Sequence, residues 1–210
     1  MSKYTIFYLE VLLFIIVITL LSQSSAILAT RHIFLAIIGT YSSWRLIKSS
    51  ATLASLGIRR TNFLSSIYDL INPSLIIILA VYLVFEFTPI GLLTWLVGYD
   101  ALPTISFTRR IIAYIFLSAP IQELIFRGYI TWRIKEVFSD TRLIQWFSIA
   151  FFTLAHIPFK SPLLIIITFF MSILYIRNYQ KYQNLFAPII SHALVGAVLI
   201  VIRNVWFPYQ

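Results

Sequence analysis

Among the polar residues that interrupt long apolar runs in this chain, five fall in three short motifs, and all are of types that bind, orient or transfer protons. Gln122, Glu123 and Arg127 lie in Ala119-Pro120-Ile121-Gln122-Glu123-Leu124-Ile125-Phe126-Arg127-Gly128, His156 in Phe152-Thr153-Leu154-Ala155-His156, and His192 in Pro188-Ile189-Ile190-Ser191-His192-Ala193. Glu123 and Arg127 are four residues apart, so on a helix their side chains meet on one face. Holding ionisable groups at membrane depth costs a few kcal/mol or more, which predicts a polar cavity or tight pairing around them. The two histidines fall on other segments. A bundle can therefore gather one Glu, one Arg and two His in its interior, where a carboxylate or imidazole can activate water. The plainer alternative is an ion pair that pins a helix interface, with the histidines as packing groups.

Glu123, His156 and His192 would also make a His₂-carboxylate set, able to hold Zn²⁺ with one position open to water. No His-Glu-x-x-His spacing anchors an ion, so the expectation is a site without metal or cofactor, with zinc as its alternative.

Hydrophobic residues make up 60% of the 210 and charged residues 11%. Several apolar runs reach the length of about 20 residues that a bilayer demands, and only brief polar joints separate them. The expected fold is all-α: one polytopic membrane helix bundle spanning 1–210, of seven or eight segments, with a membrane-embedded polar cavity. Apolar runs place segments near Thr5–Leu21, Ala26–Ile47, Pro73–Val97, Arg110–Ile134, Leu143–Ile157, Pro162–Ile176 and Leu185–Phe207. Lys48 to Asn72 forms the longest joint. The first segment contains Glu10 and is longer than a signal-peptide core, so it is read as a span.

There is no cysteine, which excludes a thiolate nucleophile and Cys-ligated metal. The net charge of +9 comes from bases that flank apolar spans, where they contact anionic lipid rather than nucleic acid. Placing the amino terminus inside leaves Lys3, Arg45, Lys48, Arg59, Arg60, Arg133, Lys135, Arg142, Arg177 and Lys181 on the cytoplasmic side. Arg31, Arg109, Arg110, Lys160 and Arg203 then lie outside, and the balance favours this orientation. By helical rise Glu123 lies about 15 Å from the Arg133 end, and His156 only about 6 Å from Lys160. Bringing them to one depth predicts that the hairpin at Pro158 and Pro162 stops short of the outer surface. Glu10 and Glu86 are read as structural or gating residues.

Gln122-Glu123-x-x-x-Arg127, then Phe152-x-x-x-His156, then Asn184-Leu185-x-x-x-Ile189-x-x-His192, in this order across about Ile112 to Val201, resembles the CAAX-processing and bacteriocin-processing (CPBP, or Abi) intramembrane proteases. In that family the first motif usually reads Glu-Glu-x-x-x-Arg, and an Asn follows the third-motif His by four residues. The resemblance implies that the first Glu and the second-motif His activate water, and that the third-motif His and Asn stabilise the oxyanion. Here Gln122 and Gly196 stand at the first and last of those positions. An amide has no basic site near neutral pH but orients water by hydrogen bonds. A missing oxyanion donor typically costs about 10²–10³ in rate.

The leading expectation is thus an intramembrane endopeptidase hydrolysing a membrane-associated peptide, such as a prenylated tail or a leader peptide. Its candidate catalytic residues are Gln122, Glu123, Arg127, His156 and His192, and its partners are membrane lipid and peptide. The alternatives are a catalytically degenerate relative acting as a peptide-binding, immunity or membrane partner protein, and a small proton-coupled transporter using Glu86, Glu123 and the histidines.

Overall fold

The computed structural model describes residues 2–49, 52, 54–98 and 106–207. Among these residues there is no strand, and the chain is an all-α polytopic bundle. Among the described residues nine helical stretches, besides a 3₁₀ turn at Ile157–Phe159, follow one another: α1 (Lys3–Gln23), α2 (Ser25–Ala29), α3 (Arg31–Lys48), α4 (Phe63–Phe87), α5 (Ile90–Val97), α6 (Phe107–Val137), α7 (Thr141–Leu154), α8 (Pro162–Tyr182) and α9 (Phe186–Trp206). Five of them, α1, α4, α6, α8 and α9, are long and apolar enough to cross a membrane. Their outward faces carry exposed Tyr8, Leu13, Ile76, Phe116 and Leu194, the surface a lipid-facing helix needs.

Local chemistry sets the helix ends. Ser2, Ser24, Asp140 and Ser161 each accept a hydrogen bond from a backbone N–H in the first turn that follows, and Pro162 occupies the first turn of α8, where its missing N–H costs nothing. Thr88-Pro89 breaks α4 from α5, as a proline does to a helix that precedes it.

The fourth helix begins ten residues earlier than the apolar pattern suggests. Phe63–Asn72 is helical and Pro73 lies inside α4 rather than opening it. Its polar residues are not loop residues but contacts to α8: Ser66 Oγ donates to Asn178 Oδ1 at 2.7 Å, Asn178 Nδ2 donates to the Ser66 carbonyl at 2.9 Å, and Lys181 meets Asp69 at 3.3 Å. Cross-helix hydrogen bonds of this kind hold a polar helix turn inside a bundle.

Residues ahead of α4 clamp the entry to α9. Asn184 Nδ2 donates to the carbonyls of Arg59 (2.7 Å) and Thr61 (3.0 Å), while its Oδ1 accepts from the Ala187 N–H. The Leu185 N–H donates to the Gly57 carbonyl at 2.8 Å. Asn184 and Leu185 of the third motif are therefore the anchor that fixes where α9 starts.

On the opposite side α1 docks through Glu10. Its Oε1 accepts from the hydroxyls of Tyr41 (2.6 Å) and Tyr129 (2.5 Å), and its Oε2 from Arg133 Nε at 2.8 Å. Arg133 also binds Glu136 and the Lys3 carbonyl. Glu10 is thus a structural residue joining three helices, whereas Glu86 is exposed near the end of α4.

Candidate functional site

The α6 helix is irregular around the first motif. Wide π-helical turns at Tyr114–Ser118 and Leu124–Ile130 enclose an α-helical turn at Ala119–Glu123. Such turns bond i to i+5 and are frequent at functional sites. Here they set neighbouring side chains to separate tasks. Glu123 points into the protein, while Gln122 lines a cavity of about 1250 Å³ whose walls are mostly apolar.

Glu123 and Arg127 are both fully buried. Arg127 Nη1 donates to Glu123 Oε1 at 3.0 Å, and Nη2 donates to Ser172 Oγ at 3.1 Å. The guanidinium is sandwiched by aromatic rings, its carbon 4.3 Å from the Phe152 centroid and 5.3 Å from that of Tyr175. Such stacking replaces water around a planar cation. The same carboxylate oxygen accepts a second hydrogen bond, from His192 Nδ1 at 2.7 Å. Glu123 Oε2 is buried without a partner among the described residues.

This arrangement fixes the histidine. With Nδ1–H given to the carboxylate, Nε2 of His192 is left for the cavity that the residue lines. Ser191, the preceding residue, bonds across to Ser74 at 2.9 Å and steadies α9 against α4.

His156 follows the end of α7, a helix of 14 residues that rises only about 21 Å, well short of a hydrocarbon core of about 30 Å. A single 3₁₀ turn, Ile157–Phe159, and Lys160 in the left-handed region at φ 51° return the chain into α8. Ser161 Oγ donates to the Leu96 carbonyl, so α5 covers the turn. Pro158 lies in this turn and Pro162 opens α8, so the two prolines frame a tight hairpin. His156 Nδ1–H donates to the Phe152 carbonyl at 2.7 Å, which leaves Nε2 with its lone pair in the neutral ring.

Phe152 is the hub. Its ring centroid lies 4.9 Å from that of His156 and 5.5 Å from that of His192, besides stacking on Arg127. Glu123, Arg127 and His192 thus touch directly. His156 and Gln122 make no hydrogen bond to that trio, and they line the same cavity as His192. Gln122 Nε2 donates to Ser118 Oγ at 2.8 Å, and its Oε1 is buried without a partner among the described residues. An acceptor so placed can take a hydrogen from water.

No three or more His, Asp or Glu side chains gather as a metal site among the described residues. Glu123 Oε1 and His192 Nδ1 are engaged with one another.

Sequence reasoning missed Ser118, Ser172 and Tyr114. Tyr114, Ser118 and Gln122 recur at i, i+4 and i+8, a spacing that could have found two of them. Ser172 on α8 reaches Arg127 only through the packing of α8 against the motif helix.

Residues 104–198 match the family described as type II CAAX prenyl endopeptidase Rce1-like. No curated protein matches the chain. No solved structure does either. The matched stretch overlaps the three motifs across 112–201 on which the resemblance to CAAX-processing proteases was drawn, and five helices of the protein are long and apolar enough to cross a membrane.

Proposed function

We propose, from the premise that residues 104–198 are similar to the type II CAAX prenyl endopeptidase family, that this protein is a metal-free intramembrane endopeptidase acting on a membrane-associated peptide. The observation that carries the reading is the Glu123–His192 hydrogen bond beside a cavity that His156 and Gln122 also line. A prenylated tail or an apolar leader peptide suits the apolar walls, and the excess of bases on the joints assigned to the same side as the amino terminus suits a plasma-type membrane with that terminus inside.

Each residue then has a distinct task. Gln122 Oε1 accepts one hydrogen of a water molecule and turns its lone pair toward the scissile carbonyl. His156 Nε2 takes the other hydrogen as the water oxygen bonds to the carbonyl carbon. Glu123 acts through His192, holding Nδ1–H so that Nε2 faces the cavity, where its N–H in the protonated ring donates to the oxyanion, as a carboxylate orients a catalytic imidazole elsewhere. Arg127 pairs with Glu123 and holds the carboxylate in place. When the tetrahedral adduct collapses, the C–N bond breaks and the proton on His156 passes to the leaving nitrogen, giving a carboxylic acid and an amine. No covalent enzyme intermediate forms.

Cleavage of a peptide in reconstituted bilayers, compared among the parent, Gln122→Glu and His156→Ala, tests this. Turnover abolished by His156→Ala supports the reading, and turnover unaffected by His156→Ala and His192→Ala removes it. One observation favours a second reading: an amide at position 122 cannot accept a proton, which suits a protein that holds a peptide without cutting it. Tight peptide binding with no turnover in the parent or in Gln122→Glu would select that reading.

A further inference from the structure

Gly196 lies one turn beyond His192 on α9, and its missing side chain is occupied. A β-carbon built there would collide with the hydroxyl and ring edge of Tyr114, so the glycine is the seat of a phenol from α6. The ring also stands edge-on to His192, with centroids 5.9 Å apart. Tyr114 lines the same cavity as Gln122, His156 and His192, and its hydroxyl makes no hydrogen bond to any described residue.

We infer that the Tyr114 hydroxyl is the second oxyanion donor of this site, filling the place left by an absent side chain at position 196. The inference rests on the protease reading and names a residue that reading does not include. A phenol O–H is a competent oxyanion donor, and its worth depends on being fixed before the charge develops. The π turn at Tyr114–Ser118 begins at this residue, and the Gly196 backbone supports the ring, so the hydroxyl is fixed by packing rather than by a competing hydrogen bond. The reaction keeps its balance: Tyr114 donates a hydrogen bond to the carbonyl oxygen as negative charge forms there and retains its proton.

The test uses full-length protein in bilayers with an S-farnesylated tetrapeptide bearing a free carboxylate, and with its analogue in which a phosphonate replaces the scissile amide. Tyr114→Phe keeps the ring and its packing. In both the parent and the Gln122→Glu background it should lower kcat by about 10²–10³, with KM changed less than about threefold. Phosphonate affinity should fall by a similar factor while peptide affinity holds. A second pair of variants separates donor from packing. Gly196→Asn alone should lose activity because the new side chain meets the phenol, and Tyr114→Ala/Gly196→Asn should recover at least about tenfold over Tyr114→Ala. Unchanged kcat and phosphonate affinity in Tyr114→Phe, with His156→Ala inactive, would overturn the inference and leave the protease reading standing. If no preparation cleaves and the phosphonate binds no better than the peptide, both fall, because there is then no oxyanion to serve.

Discussion

His192 Nδ1 lies 2.7 Å from Glu123 Oε1, the oxygen that also receives Arg127 at 3.0 Å. One carboxylate therefore orients an imidazole and neutralises a guanidinium, all three buried. Removing its charge strands Arg127 in a place that water does not reach. Glu123→Gln should destabilise the protein by about 3–5 kcal/mol, the cost of leaving one member of a buried pair without its partner. Thermal unfolding in detergent measures this, and Glu123→Gln/Arg127→Met should cost less than the two single changes together.

His156 stands at a cavity wall and only its Nδ1 is engaged, by the carbonyl of Phe152. Little of the fold depends on it. His156→Ala should lower turnover by about 10²–10⁴ while the unfolding temperature barely moves. A comparable loss of both would mark it as a packing residue.

Gln122→Glu places a basic oxygen where the amide oxygen is buried without a partner among the described residues. Turnover should rise by about 10²-fold or more. The gain should be confined to the ionised carboxylate, so it shrinks as pH falls and the new side chain is protonated. A pH–rate profile of parent and variant shows the sign, and a gain that grows on acidification would contradict the assigned role.

Asn184 works at a distance from the cavity, clamping two backbone carbonyls ahead of α4 and capping α9. Asn184→Ala leaves those groups short of partners and should cost about 1–3 kcal/mol. Equilibrium unfolding is the measurement, and the turnover of the molecules that remain folded should match the parent.

The trio of Glu123, Arg127 and His192 was legible because charged and imidazole groups are rare in apolar runs and their spacing is tied to the helical repeat. The early start of α4 was not, since Ser66, Asp69 and Asn72 read as loop composition until Asn178 and Lys181 are seen opposite. The π turns of α6 leave no such trace, because a shift from i+4 to i+5 bonding alters rotation without changing which residues are apolar. The role of the first wide turn is visible only once Tyr114 is found resting on Gly196, a contact between residues 82 positions apart. Gly196 by itself reads as a loss.

The second wide turn of α6 ties the arrangement of the motif residues to the seating of the first helix. Leu124–Ile130 behaves as an α-helix with one residue inserted, so deleting a residue there would restore regular bonding and swing everything beyond by about 100°. Arg133 would then leave Glu10 and the Lys3 carbonyl, and α1 would lose the polar latch that holds it over one wall of the cavity. The phase of a single helix thus sets two things at once: which side chains face the cavity, and how α1 is seated against its wall.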